Sequence, residues 1–412
     1  MRIAPLSRAA VAALACSVAA HASAKTDSIA YYAADRSFTL SYVIDWNAGA
    51  HTAHILETFG VADGSYTDDG TQRIITLAQP LHSTGYKYDC NGNLITLDDQ
   101  LLQLVFRTAT GGPRKGTTQL VPIGTVTDIG GCTPGLVTPY GAVTDPGLPM
   151  HRIDMTMRPG MADIVPGARI AGFSEDVLDM PGDEAVLAAQ FTTFGAGSLR
   201  LEGTGHAYPT STTADGWLVV DYGGFQRAYT RISTDEKTGG ETWFAKELKD
   251  GVATSLEMPL MARPNAAAGF GGTKGAARDW QSGIFRHSFE PMWFDLYRDG
   301  SGIRDIEPAD GSPPIQSPLA WHLDGANIVI ERDFGGGASV RRSWVPVANT
   351  GKYHFVLESE DFLQDGVVQY TDVPARVNYV EDDGRSVEPT ARGHAAAAAM
   401  ARSPAPSHRT AN

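Results

Sequence analysis

The chain has 412 residues, enough for two or three domains, and a formal net charge of −14 from 33 basic and 47 acidic residues. An acidic chain without a basic patch is disfavoured as a nucleic-acid binder, because it repels phosphate backbones. Hydrophobic residues, at 42%, exclude a chain that is disordered throughout, and 45 glycines with only 19% charged residues favour strands and turns over surface helices.

The N-terminus has the pattern of a secretory signal peptide. Arg2 and Arg8 form a positive region, Ala9–Ala20 is an apolar run too short to cross a membrane, and Ala22–Ala24 offers a small-residue cleavage site. We therefore predict cleavage after Ala24 and export to the periplasm or the extracellular space. No later stretch of the sequence is apolar enough to predict a transmembrane helix.

The sequence contains three cysteines. A lipoprotein site at Cys16 is the alternative interpretation of the leader, but Leu14 lies one position too close to it. Export would leave Cys90 and Cys132, and an isolated pair in an oxidising compartment usually forms a disulfide. Two cysteines without nearby paired ligands supply too few donors for zinc. We predict a Cys90–Cys132 bridge, no metal and no cofactor.

Residues 25–135 are predicted to form an N-terminal β domain. Short strand-like runs alternate there with glycine-containing turn signals, and no long helical period is present. Residues 136–168 are predicted to be a linker. Six prolines lie between positions 133 and 167, and proline lacks the N–H group that a strand ladder needs.

A hairpin is predicted within Asp215–Ile232, where the strands Leu218–Tyr222 and Phe225–Ile232 flank a pair of glycines, Gly223 and Gly224. Two adjacent glycines allow positive φ at both central positions of a tight turn. A similar sequence pattern recurs further along the chain at Asp324–Val347. This echo indicates a chain built from repeated antiparallel β units.

The pieces of residues 189–257 align in order with those of residues 292–368. The alignment consists of Phe191–Arg200 with Phe294–Arg304, Asp215-Gly216 with Asp324-Gly325, Arg227–Tyr229 with Arg342–Trp344, Phe244–Glu247 with Phe355–Glu358, and Asp250–Val252 with Asp365–Val367. Chance similarity between strands of period two is the alternative explanation. We predict a first β repeat at 169–258, a flexible connection at 259–279, a second β repeat at 280–385 and a disordered tail at 386–412.

These elements predict an all-β protein of antiparallel sandwich or barrel domains, with an internal repeat in the C-terminal half. Two arrangements of the repeats stay open. A joint barrel built from both repeats removes exposed strand edges. Two independent small barrels are the alternative.

Aromatic and arginine side chains of the repeats are the candidate ligand-binding residues: Arg227, Tyr229, Trp293, Trp321, Arg342 and Trp344. Side chains alternate along a strand, so each arginine shares a face with an aromatic ring. On an inner barrel surface such a pair holds an anionic group while the ring covers an apolar body. In the alternative interpretation the arginines face solvent and the aromatic rings pack in the core.

Other motifs are incomplete. His51 and His54 lack the zincin pattern, and the residues after Asp295 lack two ligands of a calcium loop. The run GFGGTK at Gly269–Lys274 lacks the glycine spacing of a P-loop, and no G-x-S-x-G nucleophile elbow is present. None of these patterns predicts a catalytic or metal site.

The function expected from the sequence is that of an exported, non-catalytic binding protein. Its ligand would be a small apolar molecule, a sugar or a component of the cell envelope, held in an aromatic-lined β cavity. In architecture this layout resembles lipocalin-like carriers, and architecture alone does not fix function. Two alternatives stay open: a secreted or periplasmic hydrolase of envelope or extracellular polymers, with paired carboxylates across a cleft, and a surface or assembly module without a small ligand.

Overall fold

The computed structural model describes residues 26–33, 40–88, 94–110, 115–177, 186–235, 238–282, 292–306 and 313–382. This part of the chain consists of antiparallel strands and one short helix, which confirms the all-β class. The strands form three consecutive barrels, named here barrel 1 (residues 26–154), barrel 2 (169–262) and barrel 3 (279–382). No helix among these residues has the length and hydrophobicity needed to span a membrane.

Barrel 1 is built from β1 (Thr26–Ala33), β2 (Ser41–Asn47), β3 (Thr52–Glu57), β4 (Gly60–Asp68), β5 (Gln72–Tyr88), β6 (Leu94–Thr108), β7 (Thr118–Asp128), β8 (Val137–Tyr140) and β9 (Leu148–Asp154). Neighbours pair in chain order from β1 to β7, and β9 pairs with both β7 and β1, which closes the ring. Alternate side chains such as Ile44 and Trp46 fill the interior, where Trp46 packs edge-on against Tyr66 and Phe106.

The structure differs from the predicted linker at 136–168, because β8 and β9 belong to barrel 1. Pro139 lies in β8, which pairs with β7 outside the closed ring, and Pro149 lies next to the start of β9. These are positions where a missing N–H disturbs few ladder hydrogen bonds. Pro139 and Pro149 therefore lie at the edge and near the end of strands and not in a linker. Barrel 1 extends to Asp154.

Barrel 2 is built from β10 (Arg169–Val177), β11 (Val186–Gly195), β12 (Ser198–Leu201), β13 (Ala207–Thr212), β14 (Leu218–Asp221), β15 (Gln226–Thr234), β16 (Glu241–Lys249), β17 (Val252–Glu257) and β18 (Leu260–Met261). Both β17 and β18 pair with β16. Ala171 and Ala262 then exchange two backbone hydrogen bonds, which join the last strand segment to β10. The core contains Phe173, in ring contact with Tyr229 and Trp243.

Barrel 3 is a closed meander of β19 (Asp279–Ser282), β20 (Met292–Leu296), β21 (Ser301–Ile306), β22 (Ile315–Asp324), β23 (Asn327–Gly335), β24 (Ala338–Asn349), β25 (Tyr353–Gln364) and β26 (Val367–Asp382). The helix α1 (Gly272–Ala276) precedes β19 and covers one end, named here the α1 end. Ala276 and Ala277 enter the barrel core there. The connection predicted to be flexible at 259–279 thus contains β18, α1 and the start of β19, because its small residues pack closely.

The internal repeat is confirmed by matching turns and bulges. Asp250 and Gly251 have φ of 52° and 78°, and Asp365 and Gly366 have φ of 51° and 77°. β15 carries a bulge between Arg231 and Ser233, and β24 carries one between Pro346 and Ala348. The strands β19 to β26 close a barrel of their own, and the sheet of β10 to β18 is joined end to end by the Ala171–Ala262 bridge, so the two repeats do not share one barrel.

The hairpin at the centre of barrel 2 forms as predicted, with β14 paired to β15. Its turn differs in one detail, since Gly223 has a positive φ of 89° and Gly224 does not. This pattern is that of a type II′ turn, which needs one left-handed residue and not two.

Apolar side chains join the barrels to one another. Tyr32 and Leu56 of barrel 1 share a buried cluster with Val219 and Phe244 of barrel 2. A second cluster joins barrels 2 and 3, and its members include Ala171, Ala262, Val347, Phe355 and Leu357. Side chains on the outer faces of these walls are therefore as buried as those inside the barrels.

Candidate ligand-binding site

The α1 end of barrel 3 holds a cleft of about 860 Å³. This volume lies within the range of small-molecule sites in proteins. The glycine-rich segment before α1, the turn after β20, the turn between β24 and β25, and the end of β26 surround it. The side chains that carry its chemistry are Phe270, Lys274, Arg278, Trp280, Arg298, Asn349, His354 and Asp382.

Glycines shape the wall of the cleft. Gly269, Gly271 and Gly272 have φ between 70° and 127°, in the region that side chains disfavour. A Cβ atom at Gly275 would overlap the backbone carbonyl of Phe270. Only glycine at these positions lets the chain fold tightly over the barrel end and place Lys274 and Arg278 at the cleft.

His354 forms part of the floor of the cleft and is 7% exposed. Its ring stacks on Phe270, with centroids 5.4 Å apart and planes within 5°, and meets the edge of Trp280 at 5.0 Å. Burial lowers the pKa of His354, while Asp382 and the backbone of Gly269 act in the opposite direction. Its buried Nδ1 has no hydrogen-bond partner among the described residues, which is costly for a polar atom out of contact with solvent.

Positive charge dominates the lining. Lys274 and Arg298 are exposed at the rim, and Arg278 bonds to Asp382 at 2.7 Å and to the carbonyl of Gly275 at 3.0 Å. Asp382 is the one carboxylate among the lining residues that the structure describes. A cationic cleft in a chain of net charge −14 attracts and concentrates small anions.

The same location in barrel 2 has different chemistry. Glu241 occupies the position of His354, since they pair with equivalent residues on both sides: Thr234 and Met261 for Glu241, Asn349 and Val380 for His354. By the same register, Arg263 of barrel 2 corresponds to Asp382 of barrel 3. Barrel 2 thus has a carboxylate where barrel 3 has the imidazole of His354, and an arginine where barrel 3 has the carboxylate of Asp382.

In barrel 2 these groups satisfy one another. Asp163, from the segment before β10, binds Arg231 at 3.0 Å and Arg263 at 2.8 Å. Glu241 accepts hydrogen bonds from both arginines and from the indole of Trp243. A carboxylate of the chain itself therefore fills the end of barrel 2, whereas the equivalent end of barrel 3 is a cleft.

The arginines predicted as ligand-binding residues are buried in ion pairs. Arg342 is 6% exposed and binds Glu358 and Glu360, each at 2.7 Å. Burial opposes ionisation of Glu360, but the nearby arginines hold its pKa below the usual value. Arg227 binds both carboxylate oxygens of Glu257 at 3.2 Å. A ligand would have to displace these carboxylates to reach either guanidinium.

The predicted aromatic residues pack in cores or on the outer wall. Tyr229, Trp321 and Trp344 are buried inside their barrels, as the alternative interpretation expected. Trp293 is half-buried, on the opposite face of β20 from the core residues Met292 and Phe294. None of the six predicted residues lines the cleft.

The remaining sequence candidates give no catalytic or metal centre. His54 lies on a strand, is exposed, and contacts Asp63 at 2.8 Å beside a shallow groove of barrel 1. The described residues include no group of three or more acidic, His or Cys side chains placed to hold a metal. Cys90 lies outside the described residues, so its pairing with Cys132 stays a prediction.

Sequence reasoning missed most of the cleft, because His354, Arg298 and Asp382 are distant in sequence. One signal was present: the GFGGTK run contributes Gly269, Phe270, Gly271 and Lys274 to the lining, although it is not a P-loop.

Comparison with protein-family models, curated proteins and solved structures gives no match. The interpretation of the site therefore rests on its chemistry. The described lining contains no Ser, Thr or Cys and a single carboxylate, which is held by Arg278. These residues suit binding of an anion better than nucleophilic attack or hydrolysis by paired carboxylates.

Proposed function

We propose that this protein is an exported, non-catalytic binding protein whose cleft at the α1 end of barrel 3 takes a small anionic ligand. One observation carries the proposal: the exposed cations Lys274 and Arg298 line a cleft with an aromatic floor and a buried histidine, where Arg278 is held by Asp382. A flat apolar part of the ligand packs on the ring floor, and its carboxylate or phosphate meets the cations. The ligand class thus shifts from the apolar molecule or neutral sugar expected from the sequence to an anion.

Isothermal titration calorimetry with benzoate, phenyl phosphate and uncharged benzyl alcohol tests this proposal. We expect both anions to bind and benzyl alcohol not to bind. The double substitution Lys274→Ala with Arg298→Ala removes two rim cations and should weaken anion binding on the order of tenfold or more.

A matched control makes the same change of charge elsewhere. Arg200 and Lys249 are exposed in barrel 2 and do not line the cleft, so Arg200→Ala with Lys249→Ala should leave binding unchanged. Absence of binding of either anion at millimolar concentration, or equal affinity of the two double variants, would refute the proposal.

Export and the disulfide belong to the same proposal. Residues 1–24 lie outside the described residues, and their sequence pattern supports a cleaved leader with a periplasmic or extracellular destination. A disulfide between Cys90 and Cys132 belongs to this proposal, because an isolated pair of cysteines in an oxidising compartment usually forms one. Replacing Cys90 by Ser should lower the thermal midpoint under oxidising conditions only. N-terminal sequencing of the secreted protein tests cleavage after Ala24.

A surface or assembly role is the second candidate, and one observation favours it. The barrel 3 end opposite α1 exposes apolar side chains on adjacent hairpin turns: Phe334 at 48%, Val367 at 62%, Val368 at 46% and Tyr370 at 38%. Exposed apolar patches mark interaction surfaces. Analytical ultracentrifugation of the natural chain and of a Val367→Asp variant distinguishes the two candidates. If the protein self-assembles through this end, the particle mass in solution should fall in the variant, and otherwise the two masses should be equal.

A further inference from the structure

Asn349 contributes an uncharged hydrogen-bond donor to the cleft. It is the last residue of β24, lines the cleft and is half-buried. Its side-chain Oδ1 accepts the backbone N–H of Gly351 at 2.9 Å. This bond fixes the orientation of the amide, because a flipped side chain would set its own donors against that N–H. The Nδ2 group donates to no described residue and is not among their buried unpaired atoms, so it is accessible to solvent and to a ligand.

The position of this donor is fixed before a ligand arrives. The side chain of Asn265 donates to the carbonyl of Asn349 at 2.9 Å and accepts the N–H of Asn349 at 3.1 Å. The next residue, Thr350, donates to the carbonyl of Thr238 in barrel 2 at 2.9 Å. A donor that is already ordered adds affinity without the entropic cost of immobilising its segment.

The side chains of the lining offer a ligand donors rather than acceptors. Lys274 and Arg298 are exposed cations, and Arg278 is partly exposed. Arg278 uses Nε and one terminal nitrogen in bonds to Gly275 and Asp382, and its other terminal nitrogen donates to no described residue. Asp382, the one carboxylate of the described lining, accepts one of these bonds. A ligand of the cleft therefore needs a group that is rich in acceptors.

These donors belong to three different parts of the chain. They lie on the segment before β19, on the turn after β20 and at the end of β24, which surround the cleft. A carboxylate offers two oxygens in one plane, whereas a phosphate monoester offers three terminal oxygens that point in different directions. Donors placed around an anion are therefore satisfied more fully by a phosphate than by a carboxylate.

We propose that the ligand of the cleft is a phosphate monoester, whose terminal oxygens accept hydrogen bonds from Nδ2 of Asn349 and from the cations Lys274 and Arg278. The inference rests on the proposed function of the same cleft and narrows its ligand from anions in general to phosphate esters. Asn349 is then a specificity-determining residue, because it recognises a further oxygen of the phosphate without contributing charge.

Calorimetry on the natural chain near pH 8 tests the ligand class with phenyl phosphate, phthalate and inorganic phosphate. Phenyl phosphate and phthalate are both aromatic dianions at this pH, so their comparison separates the phosphate group from charge. One more hydrogen bond to a charged group predicts that phenyl phosphate binds about tenfold more tightly than phthalate. Inorganic phosphate lacks the apolar part and should bind more weakly than phenyl phosphate.

Two substitutions of Asn349 locate the preference. Asn349→Asp keeps an acceptor for the N–H of Gly351, and with it the turn, but replaces the donor by a carboxylate oxygen. It should weaken phenyl phosphate binding by about tenfold or more. Asn349→Ala removes the donor without a change of charge and should bring the two dianions to similar affinity. The salt dependence of binding should stay unchanged in Asn349→Ala and should decrease in Lys274→Ala.

Asn47→Ala is the matched control. Oδ1 of Asn47 accepts the N–H of Ala50 at 3.0 Å in barrel 1, so this variant removes a similar turn bond away from the cleft. Binding of all three anions should be unchanged in it. The thermal midpoint of each variant reports whether it folds.

The possible failures are distinguishable. If neither phenyl phosphate nor phthalate binds the natural chain, the proposed function itself fails. If both bind with equal affinity, the inference fails and the anion site stands. A preference for phenyl phosphate that persists in folded Asn349→Ala would also overturn it. Inorganic phosphate that binds as tightly as phenyl phosphate would contradict an ester as the ligand.

Discussion

Arg341 and Arg342 are neighbours in sequence that face opposite sides of the wall of barrel 3. Arg342 is buried and binds Glu358 and Glu360 inside the barrel, whereas Arg341 binds Glu331 at 3.0 Å with both partners more than one-third exposed. Alternation along β24 made this difference predictable from sequence, but not the acidic partners, which lie on the next strand. The expected arginine–aromatic site turned out to be an internal ion pair.

Substitution of these two arginines should have unequal effects. Arg342→Ala leaves two carboxylates buried without their main counter-charge, and we expect the free energy of unfolding to fall by about 3 kcal/mol or more. Arg341→Ala removes an exposed pair and should cost less than about 1 kcal/mol. Urea denaturation followed by tryptophan fluorescence measures both. Similar losses in the two variants would contradict the buried role of Arg342.

Glu57 makes stability depend on pH. It is 5% exposed, and burial raises its pKa from 4.5 to about 7, although the Phe59 N–H donates to it and partly offsets this rise. Between these two values the unfolded chain releases a proton that the folded chain keeps. The stabilising contribution is therefore complete below pH 4.5 and is lost as pH rises to about 7, on the order of 3 kcal/mol.

The substitution Glu57→Gln removes this titration. We expect the variant to resemble the natural chain in stability near pH 4 and to exceed it near pH 8. Urea midpoints across this range provide the measurement. An identical pH course for both chains would show that another group is responsible.

At the scale of single elements, two turns of the repeats differ in whether their backbone conformation requires glycine: the turn at Gly366 and the turn at Gly224. Gly366 lies in a left-handed conformation with φ of 77°, whereas Gly224 does not, and both have open space where a Cβ would lie. Gly366→Ala should therefore cost about 1 kcal/mol from backbone strain alone. Gly224→Ala should be neutral or slightly stabilising. Thermal midpoints compare them, and a larger loss for Gly224 would contradict the backbone conformations described for these two glycines.

Local patterns predicted elements better than connections between elements. The hairpin of β14 and β15 and the shared face of Val340, Arg342 and Trp344 follow from short-range periodicity. The predicted match of Phe244 with Phe355 is shifted by two residues, because the strand register equates Phe244 with Leu357. The closures of the three rings join residues far apart in sequence, such as Ala171 and Ala262, and no local signal specifies them. For the same reason the cleft, which collects four distant segments, was not predicted.

At the scale of the whole molecule, buried apolar contacts couple the barrels. Phe355 points out of barrel 3, is 1% exposed, and belongs to the cluster shared with barrel 2. Thr350 of barrel 3 also donates a hydrogen bond to the carbonyl of Thr238 at 2.9 Å. Barrels 2 and 3 are thus expected to unfold as one unit.

Phe355→Ala should break this coupling. Loss of a buried phenylalanine costs about 3–5 kcal/mol, and here the loss falls on the contact between barrels. Differential scanning calorimetry should show one transition for the natural chain and separate transitions for the variant. Phe334→Ala, at an exposed turn, serves as the control and should change neither the number nor the position of transitions. A single transition in Phe355→Ala would show that the barrels stay coupled without this ring.

The carboxylate of Asp163 binds Arg231 and Arg263 at the end of barrel 2, in the way that a carboxylate ligand would. Were it trimmed to alanine, Arg231 and Arg263 would remain beside a vacated space with Glu241 and Trp243 at its base. A free carboxylate such as acetate, added in solution, would then be the natural replacement. The substitution Asp163→Ala is therefore expected to create in barrel 2 a space bordered by two arginines.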